Sequence, residues 1–155
     1  MMETLTALEN SGFATWLRES GSIWAYPLVL TLHTVGLALL VGGNFALDMR
    51  VLGAGQGIEV SALDRLFPVM WWGFAINAIS GVLLFCADAT TKGTTTLFMF
   101  KLACIAAAVV VMVLMRRSIF GRGAGASVTA GAKGLALVSL LLWTAAITAG
   151  RFMAY

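Results

Sequence analysis

From Ile23 to Leu47 the chain contains no Lys, Arg, Asp or Glu, and this stretch limits the available folds more than any other feature. A helix needs about 20 apolar residues to cross the hydrocarbon layer of a bilayer. Three further segments meet that requirement: Leu66 to Ala87, Leu97 to Met115, and about Leu135 to Met153. The third is interrupted only by Lys101, and the fourth carries Arg151 near its end. Backbone N–H and C=O groups must be paired in lipid, and no segment shows the polar-apolar alternation of a barrel strand, so all four are expected to be α-helices. The expected fold is all-α: an integral membrane four-helix bundle forming a single transmembrane domain over residues 1–155.

Composition agrees with that solvent. Hydrophobic residues make up 60% of the chain and charged residues 11%, too few to cover the surface of a water-soluble domain. The formal charge of +3 bears on membrane orientation, because no basic run carries interleaved aromatics and a nucleic-acid partner is excluded on that ground. Cys86 and Cys104 stand alone in apolar runs, which supports neither a zinc site nor a disulfide framework. No carboxylate pair, Ser-His-Asp set or phosphate-binding glycine loop is present, which disfavours hydrolase and nucleotide-dependent chemistry.

Residues 3–19 place Leu5, Leu8, Phe13, Trp16 and Leu17 at near-helical spacing among Glu3, Glu9, Arg18 and Glu19. They read as one short amphipathic helix at the membrane interface, not as a secretory signal peptide, which would start basic and turn directly apolar. The stretch after the third span, with Arg116, Arg117, Arg122 and Lys133 and no acid, is expected to be cytoplasmic, as are Arg50 and Arg65. Both termini then face the periplasm of a bacterial inner membrane. Residues 121–134, rich in Gly, Ala and Ser, read as a flexible linker. Asp48 and Arg50 read as a surface pair ending the first span, an arrangement that contributes about 0–1 kcal/mol.

The one histidine of the chain, His33, lies inside the first span. Counted from Ile23 at 1.5 Å per residue it is about 15 Å deep, close to the bilayer midplane. His33, Gly36, Leu40, Gly43 and Asn44 share a helix face, and glycines there let another helix, or a flat cofactor such as a porphyrin, approach the backbone. The second span aligns Asn77, Ser80, Gly81 and Leu84, and the fourth aligns Ser139, Trp143, Ile147 and Gly150 or Arg151. Two readings of His33 stand side by side. It either hydrogen-bonds Ser80, Asn77 or a carbonyl and fixes helix packing, or it ligates a metal or haem. Lys101 and Arg151 are either snorkelling anchors or partners of haem propionates. The tryptophans read as interfacial belt residues, and Met70, Met99, Met112 and Met115 as apolar packing.

The stretches "LHTVGLALLVGGNFALDMRVLG", "SGVLLFCAD" and "SLLLWTAAITAGRFMAY", with the lysine of the third span, resemble a family of small bacterial four-helix membrane proteins known as a domain of unknown function. The resemblance covers residues 23–155. His33, Gly43, Ser80, Gly81 and Lys101 are also similar to the pattern of copper-resistance D type and cytochrome b561-like membrane proteins. That similarity implies haem b, or copper as the alternative, with electron transfer or redox sensing as the function. Those families place histidines on several helices, whereas this chain has one, so a second axial ligand must be a methionine, His33 of a second copy in a homo-oligomer, or an open position. A periplasmic redox partner is implied as well. The alternatives are a small transporter or channel lined by His33, Asn77, Ser80 and Lys101, and an accessory subunit that only packs in a larger complex.

Overall fold

The computed structural model describes residues 2–121 and 128–153, so Arg122 and the centre of the expected linker lie outside the described residues. The described chain is all helical, in the order α1 (Met2–Glu9), α2 (Gly12–Glu19), α3 (Tyr26–Leu52), α4 (Leu66–Cys86), α5 (Ala89–Thr94), α6 (Thr96–Phe120) and α7 (Ala130–Phe152), with a 3-10 turn at Val60–Arg65 before α4. α3, α4 with its preceding turn, α6 and α7 are each long and apolar enough to cross a membrane. The chain divides into two compact units. One is Met1–Leu40 with Trp71–Thr96, and the other is Val41–Met70 with Leu97–Tyr155, so α3 and α4 each contribute a segment to both.

α3 starts and ends later than its charge-free run. It continues through Asp48 and Arg50 and stops where Gly53 adopts φ +111°, a left-handed conformation that side-chain-bearing residues rarely take. The midpoint of the helix is therefore Leu39, and His33 sits about 9 Å from it instead of at the centre. α4 begins with Pro68 in its first turn, where the missing N–H leaves no helix bond unmade. α7 is capped by Thr129, whose hydroxyl accepts from the Ala132 amide at 3.2 Å.

In the first unit, α3 and α4 touch backbone to backbone. A Cβ added at Gly36 would lie 2.7 Å from the Asn77 amide nitrogen and 2.9 Å from the Gly73 carbonyl oxygen. One added at Gly73 would meet the Leu40 amide nitrogen at 2.7 Å and the Gly36 carbonyl oxygen at 2.9 Å. Only glycine at both positions allows this approach, the small-residue packing typical of helices that share no water-driven attraction.

The segment expected as one interfacial helix is two. Asn10 and Ser11 break it, and the Ser11 hydroxyl accepts from the Ala14 amide at 3.3 Å to start α2. Both pieces dock on protein as well as presenting an apolar surface. Leu17 of α2 is buried with Ala25, Val29, Leu84 and Ala87, and Arg18 Nη1 donates to the Ala87 carbonyl at 3.1 Å. α1 packs on α5, with Leu5 lying against Gly93. Glu9 Oε2 accepts from the Thr90 amide at 2.7 Å and from its hydroxyl at 2.6 Å. Phe13 and Trp16 remain about half exposed on the outer side of α2.

Those contacts hold the Glu9 carboxyl below its ordinary value of 4.5, chiefly through the Thr90 hydroxyl, then the Thr90 amide, with Arg18 adding to the effect and burial opposing it. The contribution is present above about pH 4.5 and is lost as pH falls through the lowered native value. The protection factor of the Thr90 amide, measured against its intrinsic exchange rate at each pH, is expected to fall on acidification and, at neutral pH, in Glu9→Gln; unchanged protection would contradict this docking. At the crossing, Gly36→Ala is expected to cost about 1–3 kcal/mol, because backbone must move. Thermal unfolding in detergent measures it, and a neutral result would show that the helices do not meet there.

Candidate functional site

The crossing sets His33 of α3 over a short stretch of α4. Its Nδ1 lies 3.1 Å from the Asn77 carbonyl oxygen and 3.1 Å from Ser80 Oγ. A carbonyl only accepts, so Nδ1 carries a proton. Ser80 supports that assignment by sending its own hydroxyl to the Ile76 carbonyl at 2.6 Å, leaving its oxygen to accept from the imidazole. In the neutral ring the lone pair is then on Nε2. In return, Asn77 Nδ2 donates to the His33 backbone carbonyl at 2.8 Å. Each residue thus bonds the other's main-chain oxygen, and two interhelical bonds lock one turn of α3 to one turn of α4.

Gly81 makes room for the ring. A Cβ there would stand 3.3 Å from His33 Cε1 and 3.7 Å from Nδ1, so an alanine would press the imidazole out of place by a few tenths of an ångström. His33 is half-buried, Ser80 buried and Asn77 half-buried. The four residues His33, Asn77, Ser80 and Gly81, chosen from helical spacing, are therefore brought together in the first unit. The occupant of the glycine face is also resolved at Gly36, where the α4 backbone fills the space that the sequence left open to a helix or a flat ring.

The remaining expected site residues belong to the second unit. At Gly43 a Cβ would strike the Met70 side chain, 2.6 Å from Cγ, so this glycine accommodates a methionine. Lys101 runs its stem along α7, with Cε and Nζ 3.5 Å from where a Cβ of Gly150 would lie, one residue before the exposed Arg151. Trp143 is 3% exposed, which corrects its reading as an interfacial belt residue; Trp72, at 71%, keeps the exposure such a residue needs. On α7 the buried stripe passes through Ser139, Trp143, Ala146 and Ala149, whereas Ile147 turns outward, because a step of four residues overshoots a full turn.

Sequence reasoning missed a second polar centre. Asp48, expected at the surface beside Arg50, is fully buried, and neither carboxyl oxygen meets full hydrogen-bond geometry among the described residues. Arg50 turns away and donates from Nε to the Ile58 carbonyl at 2.7 Å. Ser139 of α7 is the polar side chain facing Asp48, and Asn44, one turn earlier on α3, is fully buried and donates to Met112 Sδ at 3.6 Å. The signal was present in the spacing: Gly36, Leu40, Asn44 and Asp48 follow one another at intervals of four along the same face as His33.

Among the described residues, no three His, Cys, Asp or Glu side chains converge as a metal-binding group. No protein-family model, curated protein or solved structure matches this chain. The interhelical bond from Asn77 can be tested on stability alone. Asn77→Ala is expected to cost about 0.5–1.5 kcal/mol, in the range of polar bonds between membrane helices. Chemical unfolding in detergent reads the loss, and stability equal to that of the unmutated chain would show that the amide bond contributes nothing.

Proposed function

We propose that the chain is a four-helix membrane protein of a bacterial inner membrane that holds b-type haem through His33 Nε2 and serves membrane electron transfer or redox sensing. The observation that carries this reading is the Nδ1–H bond to the Asn77 carbonyl. Metal-ligating histidines commonly donate their other ring N–H to a carbonyl or carboxylate, which sets the tautomer, aims the ring and makes the ligating nitrogen more basic. The same bond also joins α3 to α4; ligation adds a use for the lone pair that the bond leaves on Nε2.

The residues fit haem better than copper. Haem brings four nitrogen ligands of its own and needs one or two from protein, whereas a copper ion needs several from the chain, and His33 stands without a second histidine. When bound, haem supplies one-electron transfer at iron. This chain's residues do the rest: His33 ligates, the Asn77 carbonyl and Ser80 hydroxyl keep the proton on Nδ1, Gly81 leaves room for the ring, and Gly36 with Gly73 sets the helix separation. The proposal rests on the first unit; Gly43, Lys101, Trp143 and Arg151 carry no part of it.

The same reading places both termini on the periplasmic side, with Phe13 and Trp16 at the interface, by the distribution of Lys and Arg and by the amphipathic form of α2. A periplasmic redox partner would approach from that side, to which His33 is nearer. One chain supplies one imidazole, so bis-imidazole ligation requires a homo-oligomer.

Absorption spectra of the detergent-purified protein, oxidised and then reduced, test the proposal together with iron content. A Soret band with redox-sensitive visible bands is expected, lost in His33→Ala and shifted in Gly81→Ala. One iron per two chains would report paired His33 ligands, and one per chain a methionine or open position. A colourless, iron-free protein from cells supplied with haem would overturn the reading.

A further inference from the structure

The second unit contains a buried carboxyl group with no ion-pair partner among the described residues, and this is independent of the haem reading. Asp48 is fully buried, and the Ser139 hydroxyl lies against its carboxyl, although neither oxygen meets full hydrogen-bond geometry among the described residues. Isolated charge in such a place is expensive enough that native proteins pair it, protonate it or give it to a cation. The side chains around it are rich in oxygen. Ser139 faces it from α7, and its Oγ is buried; Asn44 is one turn away on α3, with its Nδ2 directed to Met112 and its Oδ1 buried.

We propose that Asp48, Ser139 and Asn44 form a binding site for a small monovalent cation, a sodium ion or a proton. Carboxylate, hydroxyl and amide oxygens are hard ligands, suited to hard cations and not to a soft metal. A single carboxylate balances a single positive charge. Val51, one turn beyond Asp48 on the same face, lines a shallow surface pocket together with Arg50, Gly53, Gln56, Val128 and Lys133. The basic groups of that pocket, Arg50 and Lys133, oppose a divalent ion about twice as strongly as a monovalent one. Met112 and Val51 are buried apolar residues of the same unit, which leaves the three oxygen-bearing side chains as the ligands the proposal names. Ionisable side chains buried within membrane helices commonly pair with polar groups and mark ion or proton sites.

The test uses the full chain in detergent. Thermal unfolding is followed at constant pH and ionic strength as sodium chloride replaces choline chloride, whose cation is too large for the site. A saturable rise in Tm of a few degrees in the unmutated chain, absent in Asp48→Asn and weakened in Ser139→Ala, is the result expected for sodium. If sodium has no effect, infrared difference spectra between the unmutated chain and Asp48→Asn identify the other occupant: a carboxylic-acid carbonyl band at neutral pH assigns the proton. A sodium response that survives unchanged in Asp48→Asn overturns the proposal, as does the absence of a sodium response together with the bands of an ionised Asp48 carboxylate. Should Asp48→Asn fail to fold, Ser139→Ala decides the sodium arm, since an undiminished response there removes the site's second oxygen from the account.

Discussion

Between Gly36 and Gly73 no side chain separates α3 from α4, and the approach of the two backbones governs what the first unit can do. At that distance the carbonyls and amides of one helix come within reach of side chains on the other. His33 and Asn77 exploit this by bonding each other's main-chain oxygens, a turn away from the crossing. A larger residue at either glycine would separate the helices, and the imidazole would lose the acceptor that fixes its proton. Packing and site chemistry therefore rest on the same pair of residues. This also explains why polar groups are tolerated here, since His33, Ser80 and Asn77 each donate to an acceptor inside the protein.

The two polar centres differ in how completely they are satisfied. Around His33, the ring N–H, the Ser80 hydroxyl and the Asn77 amide all have partners, and the group is rigid without any addition. Around Asp48, the carboxylate oxygens, the Ser139 hydroxyl and the nearby Trp143 indole N–H are buried without meeting hydrogen-bond geometry among the described residues. A satisfied cluster positions a ligand atom, while an unsatisfied one calls for something to be bound. That contrast is the physical reason for assigning the first to ligation through a preset nitrogen and the second to uptake of a cation.

Much of this was legible in the sequence because lipid leaves few choices. The charge-free runs located the long helices, and a spacing of three and four placed His33, Gly36, Asn77, Ser80 and Gly81 on facing stripes. Helix ends were less legible. α3 continues through Asp48 and Arg50, since a charge buried against another helix does not end a span, and only the interval from Gly36 through Leu40 and Asn44 signals that Asp48 faces inward. The break at Ser11 and the docking of α1 on α5 depend on Glu9 reaching Thr90, a contact between residues far apart in sequence that no local pattern encodes. The identity of a bound group is not written in spacing at all, because a packing histidine and a ligating one occupy the same stripe and make the same Nδ1–H bond; what separates them is whether Nε2 meets a ligand.

That proton is the most direct point of attack. With a single histidine in the chain, ¹⁵N labelling of histidine followed by solid-state NMR of the haem-free protein in lipid bilayers reads His33 without any assignment step. The account predicts a neutral ring with Nδ1 protonated and Nε2 bearing the lone pair. A neutral ring protonated on Nε2 would contradict it, because the carbonyl of Asn77 would then face a lone pair and the nitrogen held ready for a ligand would be the wrong one.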